Sequence, residues 1–111
     1  MRTDLELTRG DSYSLTLSLK NNEGEQIRLA DGDIVYFTVK TSTETTNILF
    51  QKILTNFNEL GECIIDILPS DTKEQRCKEY VYDIQVNFNN GKVLTVVRPS
   101  LFKVLEEVTY D

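Results

Sequence analysis

Tyr80-Val81-Tyr82-Asp83-Ile84-Gln85-Val86-Asn87-Phe88-Asn89-Asn90-Gly91, residues 80–91, is the stretch whose reading decides the fold. Tyr80, Tyr82, Ile84, Val86 and Phe88 fall at every second position, with Val81, Asp83, Gln85 and Asn87 between them. A period of two is that of a strand with one face buried. The run closes on Asn89-Asn90-Gly91. An Asn-Gly pair readily takes positive φ at both central positions of a tight hairpin turn. Val93 to Val97 supplies the return strand. Pro99, which has no backbone donor, is expected to break it before a last strand from Leu101 to Leu105.

The same period recurs upstream. Tyr13, Leu15, Leu17 and Leu19 alternate with Ser and Thr, and Leu5 and Leu7 form a short first strand. In Ile34 to Lys40, Val35, Phe37 and Val39 share one face and Ile34, Tyr36 and Thr38 the other. Ile48 to Leu54 reads as a strand with Ile48, Phe50 and Lys52 on one side. Cys63, Ile65 and Ile67 point inward, because that phase leaves Asp66 outside. Pro69 ends this strand, and Ser70 or Asp71 caps a short helical turn through Lys73 to Arg76. Arg9-Gly10-Asp11, Asn21 to Gly24, Asp31-Gly32-Asp33 and Asn56 to Gly61 read as turns or loops, as does the Thr/Ser-rich segment 41–47. No internal repeat is read. Seven or eight strands result, with no helix long enough to serve as a parallel crossover. The expectation is an all-β, two-sheet antiparallel β-sandwich, with a small β-barrel as the alternative. A single domain covers 1–111, with 106–111 a frayed, flexible tail.

Composition agrees with one β domain. A chain of 111 residues hides roughly two thirds of its unfolded surface, enough for one core. Twelve basic and eighteen acidic residues give a net charge of -6, spread evenly along the chain. Such a surface repels phosphate, so neither nucleic acid nor an anionic membrane is expected as a partner. No stretch approaches the ~20 apolar residues of a membrane span. Met1 opens onto Arg2-Thr3-Asp4, which is not the start of a secretory leader. Cys63 and Cys77 are expected to be free thiols, the first in the core and the second in a polar connection.

Reactive chemistry is sparse. The chain has no His, the commonest general base and metal ligand. Its glycines stand singly at turns and form no phosphate loop. Asp66 and Asp83 are the best candidate pair of catalytic carboxylates, yet each occupies the polar phase of its strand and reads as solvated. Asp31-Gly32-Asp33 lacks the spaced ligands of a calcium loop and reads as a plain turn. Arg9-Gly10-Asp11 matches an integrin-recognition tripeptide but reads as a bend, with Asp11 capping backbone donors. No enzyme, cofactor, metal or small-molecule substrate is expected. Docking residues are sought instead at the expected sheet edges, Leu5, Leu7, Leu101 and Phe102, and on the mixed face of Ile34 and Tyr36. A second reading is a carbohydrate-binding module that attaches to a cell surface through Tyr36 and Tyr82.

Five stretches carry a resemblance: Leu7-Thr8-Arg9-Gly10-Asp11-Ser12, Val35-Tyr36-Phe37-Thr38-Val39-Lys40, Ile67-Leu68-Pro69-Ser70-Asp71-Thr72, Tyr80-Val81-Tyr82-Asp83-Ile84-Gln85, and Gly91-Lys92 followed by Phe102-Lys103-Val104. In this order the chain resembles the immunoglobulin-like proteins and domains of tailed bacteriophages and prophages, similar to the N-terminal domain of baseplate upper proteins. It departs from them at Cys77-Lys78-Glu79, where those proteins usually carry a Gly. The resemblance implies an immunoglobulin-like sandwich and a virion structural role in the tail or baseplate. It implies a protein made in the bacterial cytoplasm, incorporated into the virion, and docking on other tail or baseplate proteins or on further copies of itself.

Overall fold

The computed structural model describes residues 4–43 and 47–107. Among them nine strands form: β1 Leu5–Thr8, β2 Tyr13–Leu17, β3 Leu19–Lys20, β4 Gln26–Ile27, β5 Ile34–Lys40, β6 Ile48–Leu54, β7 Cys63–Ile67, β8 Glu79–Asn87 and β9 Val93–Leu105. A single helical turn, α1, spans Pro69–Thr72. One sheet has the order β1-β9-β8-β5-β6; β2 pairs with β7, and β3 with β4. The β2–β7 pair covers the inner face of the five-stranded sheet. This is the immunoglobulin arrangement: β5, β8 and β9 act as its C, F and G strands, β6 as C′, and β2 and β7 as B and E. The large sheet ends on β1 and β6 without closing, which sets the barrel alternative aside.

Alternation does the work the sequence implies. Val35, Phe37 and Val39 of β5, Cys63, Ile65 and Ile67 of β7, and Tyr80, Tyr82, Ile84 and Val86 of β8 are all buried. At the centre Phe37 stacks on Tyr82, with ring centroids 5.2 Å apart. Phe102 meets both rings edge-on at 6.2 and 6.3 Å. Such aromatic pairs add about 0.5–1.5 kcal/mol beyond burial. Phe37 thus takes the place of the immunoglobulin core Trp on strand C, and Tyr82 that of the disulfide Cys on strand F. Two residues before Tyr82, Tyr80 donates its hydroxyl to the carbonyl of Arg76 at 2.7 Å. That bond is the tyrosine corner at the E–F connection.

Several expectations require correction. β1 runs parallel to β9, pairing Leu5 with Phe102 and Leu7 with Val104. No crossover helix is needed, because the rest of the sandwich intervenes between them in sequence. Strand β9 is continuous through Pro99. Register shifts opposite Tyr82, Ile84 and Gln85 insert extra residues around Val96 and Pro99, and a bulge tolerates a residue without an N–H. The helical turn lies at Pro69–Thr72, ahead of the Lys73–Arg76 expectation, and Asp71 Oδ2 accepts from Leu68 N at 2.7 Å. The alternation from Tyr13 divides at Ser18 into β2 and β3. In β6 it is Phe50, Lys52 and Leu54 that turn inward, while Ile48 is exposed, because a bulge shifts the register between Val39 and Lys40.

Turn chemistry also differs from the simple reading. Gly91 donates to Phe88 O at 2.9 Å, and Phe88 N donates to Lys92 O at 2.8 Å. Gly91 has φ 92°, and no described residue other than glycine has positive φ. The 89–91 hairpin therefore places only its glycine in the left-handed region, as a glycine bulge does, and is not a turn with two positive φ values. A related motif occurs twice as Asn-x-x-Gly-Glu, in Asn21 to Glu25 and Asn58 to Glu62. In each copy the glycine N–H donates to the Asn carbonyl, and the Asn side-chain oxygen accepts from two backbone N–H groups. This local repeat has no counterpart in the sequence reading. Of the expected 106–111 tail, Glu107 lies 2.7 Å from the Arg9 guanidinium, and residues 108–111 lie outside the described residues.

Candidate functional site

Period two leaves a second face on every strand, and the outer face of the five-stranded sheet is the surface that remains to be explained. Register builds it row by row. Ile53, Tyr36, Gln85 and Thr95 form one row; Gln51, Thr38 and Asp83 the next; and Lys40, Val81 and Leu101 lie beyond them. Ile34, Tyr36, Val81 and Leu101 are half-buried. Ile53 and Val93 are each 59% exposed. The face is apolar toward both ends and polar across its middle.

The polar middle forms a shallow hollow of about 360 Å³, lined by Tyr36, Thr38, Gln51, Asp83 and Gln85 with Lys40 beside them. Gln51 donates its amide to Thr38 Oγ1 at 2.9 Å. Burial pushes the Asp83 carboxyl up from its ordinary value, and the nearby Lys40 ammonium partly offsets that. Asp83 has no opposite residue on β9, since the bulge removes it. The hollow thus brings together a ring, two amides, a hydroxyl, the Asp83 carboxylate and the Lys40 ammonium.

Asp66 stands on the outer face of the β2–β7 pair, where it accepts from Ser14 Oγ at 2.5 Å. Asp83 stands on the outer face of the other sheet. Both layers and the core separate them, so they share no site. Asp33 is structural: its two carboxylate oxygens accept from Ala30 N and Asn89 N, each at 2.9 Å, and pin the β8–β9 hairpin to the start of β5. Arg9-Gly10-Asp11 is drawn into the fold. Arg9 pairs with Glu107 and donates to Gln75 O, and Gly10 N donates to the buried Thr72 hydroxyl at 2.9 Å. The bend is closed by backbone, with Asp11 N donating to Thr8 O, and not by an Asp11 side-chain cap. Among the described residues no group of three or more acidic or Cys side chains is placed to hold a metal.

The docking residues named from sequence fall into two groups. Ile34, Tyr36 and Leu101 lie on the outer face, half-exposed. Leu5, Leu7 and Phe102 belong to the core, at 9%, 6% and 0% exposure, and are not offered to a partner. The reason is phase: β1 is an edge strand, but its leucines pair inward beside Phe102 and Val104. The last strand is no edge at all, since β9 lies between β1 and β8. Tyr82, the second glycan candidate, is buried under Phe37, leaving Tyr36 as the one ring of that pair on the surface. The sequence reading did not single out Gln51, Ile53 and Gln85; counting alternate positions from Tyr36 across the sheet finds them.

Cys63 is fully buried in β7, and Cys77 half-buried; both are free. Burial pushes the Cys63 thiol up to about 11. No described helix is long and apolar enough to cross a membrane. No family model matches the chain, and no curated protein does. The likeness to phage tail domains is therefore carried by the quoted motifs alone.

Proposed function

We propose that this immunoglobulin-like domain is a non-enzymatic docking module of a bacteriophage or prophage tail or baseplate. Made in the bacterial cytoplasm and built into the virion, it meets its neighbours through the outer face of the five-stranded sheet. The observation that supports this is the composition of that face. On a chain of net charge -6, it gathers Ile34, Tyr36, Val81 and Leu101 around a centre that carries Asp83 as its carboxylate. Aromatic side chains such as Tyr36 are enriched at protein interfaces. The phage setting comes from the motif resemblance and not from this face.

The test is incorporation. An epitope-tagged chain is produced during phage growth, particles are purified by density, and the tag is sought in them. The expected result is a particle-bound tag that is lost with Tyr36→Glu while the free protein remains folded. Particles without the tag, or unaffected by Tyr36→Glu, would refute the reading. One observation favours a second reading, a carbohydrate-binding module. Tyr36 beside Gln51, Asp83 and Gln85 is a ring flanked by hydrogen-bonding groups. Binding to immobilised glycans that disappears with Tyr36→Ala would select it.

A further inference from the structure

The large sheet is open at its β6 edge. Among the described residues β6 pairs with β5 only, so the other side of a seven-residue strand presents its backbone N–H and C=O groups. Natural edges are blunted by short length, Pro, bulges, or charged side chains, inward-pointing ones included. This strand has no Pro, and its guards are a bulge opposite its Ile48 end and Lys52, which turns inward to Asp71 at 2.7 Å; none of its outward side chains is charged. Its exposed side chains are Ile48, Gln51 and Ile53. No carboxylate occurs between Glu44 and Glu59, on an otherwise acidic chain.

We infer that β6 is a pairing edge for a second copy of this chain, joined antiparallel about a two-fold axis so that two five-stranded sheets become one. Two features of the strand favour this occupant. The first is charge. Two copies of net charge -6 repel over most of their surfaces, and β6 is a stretch where no acid meets acid. The second is self-complementarity. An antiparallel register centred on Gln51 sets the two Gln51 amides opposite each other and brings Ile53 of each copy against the Ile48–Leu49 end of the other. The same register keeps each Lys52 on its own Asp71, whereas centring on Lys52 would oppose two ammonium groups. A two-fold contact needs such self-matching, and cross-strand apolar pairs stabilise it. Main-chain bonding to a sheet edge supplies affinity, and the flanking side chains set the register.

The test is sedimentation equilibrium of the whole chain from micromolar to millimolar concentration, with hydrogen exchange of residues 48–54 followed over the same range. The expected result is a monomer–dimer equilibrium whose dimer protects the β6 amides. Ile53→Lys raises the dissociation constant at least about tenfold. Ile64→Lys, an equally apolar exposed site on the outer face of β7, leaves it unchanged. Thermal melts of both variants confirm that they fold. A monomer at every concentration overturns the inference. So does a dimer that survives Ile53→Lys, or one that leaves the β6 amides exchanging freely. The outcome is separate from virion incorporation, which is read through Tyr36.

Discussion

Replacing Tyr80 by Phe removes one hydroxyl and leaves the ring. Tyr80 is 2% exposed and is the second residue of β8, and its hydroxyl reaches the Arg76 carbonyl at 2.7 Å. The buried ring anchors the connection from α1 to β8, and the hydroxyl fixes the path of that connection. A neutral hydrogen bond of this kind contributes about 0.5–1.5 kcal/mol, and up to about 3 where a partner is stranded away from water. Arg76 is an exposed residue, so water can reach its carbonyl, and the loss is placed at about 1 kcal/mol. For a chain of 111 residues that corresponds to a fall in Tm of roughly 4–5 °C, taking about 2.1 cal/mol/K per residue as the unfolding entropy. Tyr80→Leu adds the loss of the ring and should cost clearly more, on the order of 3 kcal/mol. Urea and thermal unfolding followed by far-ultraviolet circular dichroism measures both. Burial also raises the Tyr80 hydroxyl above its usual range. The folded state then holds that proton more tightly than the unfolded state. Stability from this source is intact below the unfolded value and falls as pH rises through it toward the folded one. Tyr80→Phe should flatten that alkaline loss, although Tyr82, pushed up to about 12 by burial, keeps its own share. A Tyr80→Phe protein as stable as the parent, or as weak as Tyr80→Leu, would refute the corner as a stabilising bond.

Three further predictions follow from single contacts. Gly61 has φ 74°, and a Cβ there would lie 2.6 Å from Arg28 Cβ and 2.8 Å from Arg28 Cα. Gly61→Ala should therefore cost well over the roughly 1 kcal/mol of the backbone preference, whereas Gly24→Ala, with φ 83° and open space around it, should cost about that alone; paired urea titrations compare them. Asp83 is held above its ordinary pKa by burial, so its charged form weakens the fold at pH values above the unfolded value and not below it. Asp83→Asn should raise stability at pH 7 by under about 1 kcal/mol after solvent screening, with the gain vanishing near pH ~3; melts at the two pH values decide. A thiol reagent applied to the native protein should label Cys77 and spare Cys63, whose thiol is buried and raised to about 11; labelling of Cys63 without denaturant would contradict the closed core.

The strands were legible because burial here is set by alternation. Choosing the phase that leaves Asp66 outside was enough to place Cys63, Ile65 and Ile67 inside, where they lie. The partners of each strand were less legible. Nothing local in Leu5-Glu6-Leu7 announces a parallel ladder with Phe102 to Val104, since that contact joins the two ends of the chain. The same gap misplaced Leu5, Leu7 and Phe102 on an interface: being near an edge in sequence says nothing about which way a side chain points. Pro99 misled for a related reason, since whether it ends a strand or sits in a bulge depends on the opposite strand. The tyrosine corner had a local signal that went unused, a Tyr two positions ahead of the central core residue Tyr82. The repeated Asn-x-x-Gly-Glu turn was equally visible, in two copies.

The separation of Asp66 from Asp83 and the breadth of the outer faces have one physical origin in this fold. A strand that buries every second residue exposes the others, and two stacked sheets put those residues on opposite outer faces. Asp66 and Asp83 are kept apart for that reason, and no local change in either strand would bring them together. Side chains on neighbouring strands of one sheet, by contrast, form continuous rows. Tyr36 meets Ile53 on one side and Gln85 on the other across the β5 ladder. A sandwich therefore spreads its outward groups into broad, shallow surfaces with open edges. Such a surface here holds Ile34, Tyr36 and Leu101, and such an edge holds Ile48 and Ile53; the proposed docking and the proposed strand pairing each use one of these two products of the same alternation.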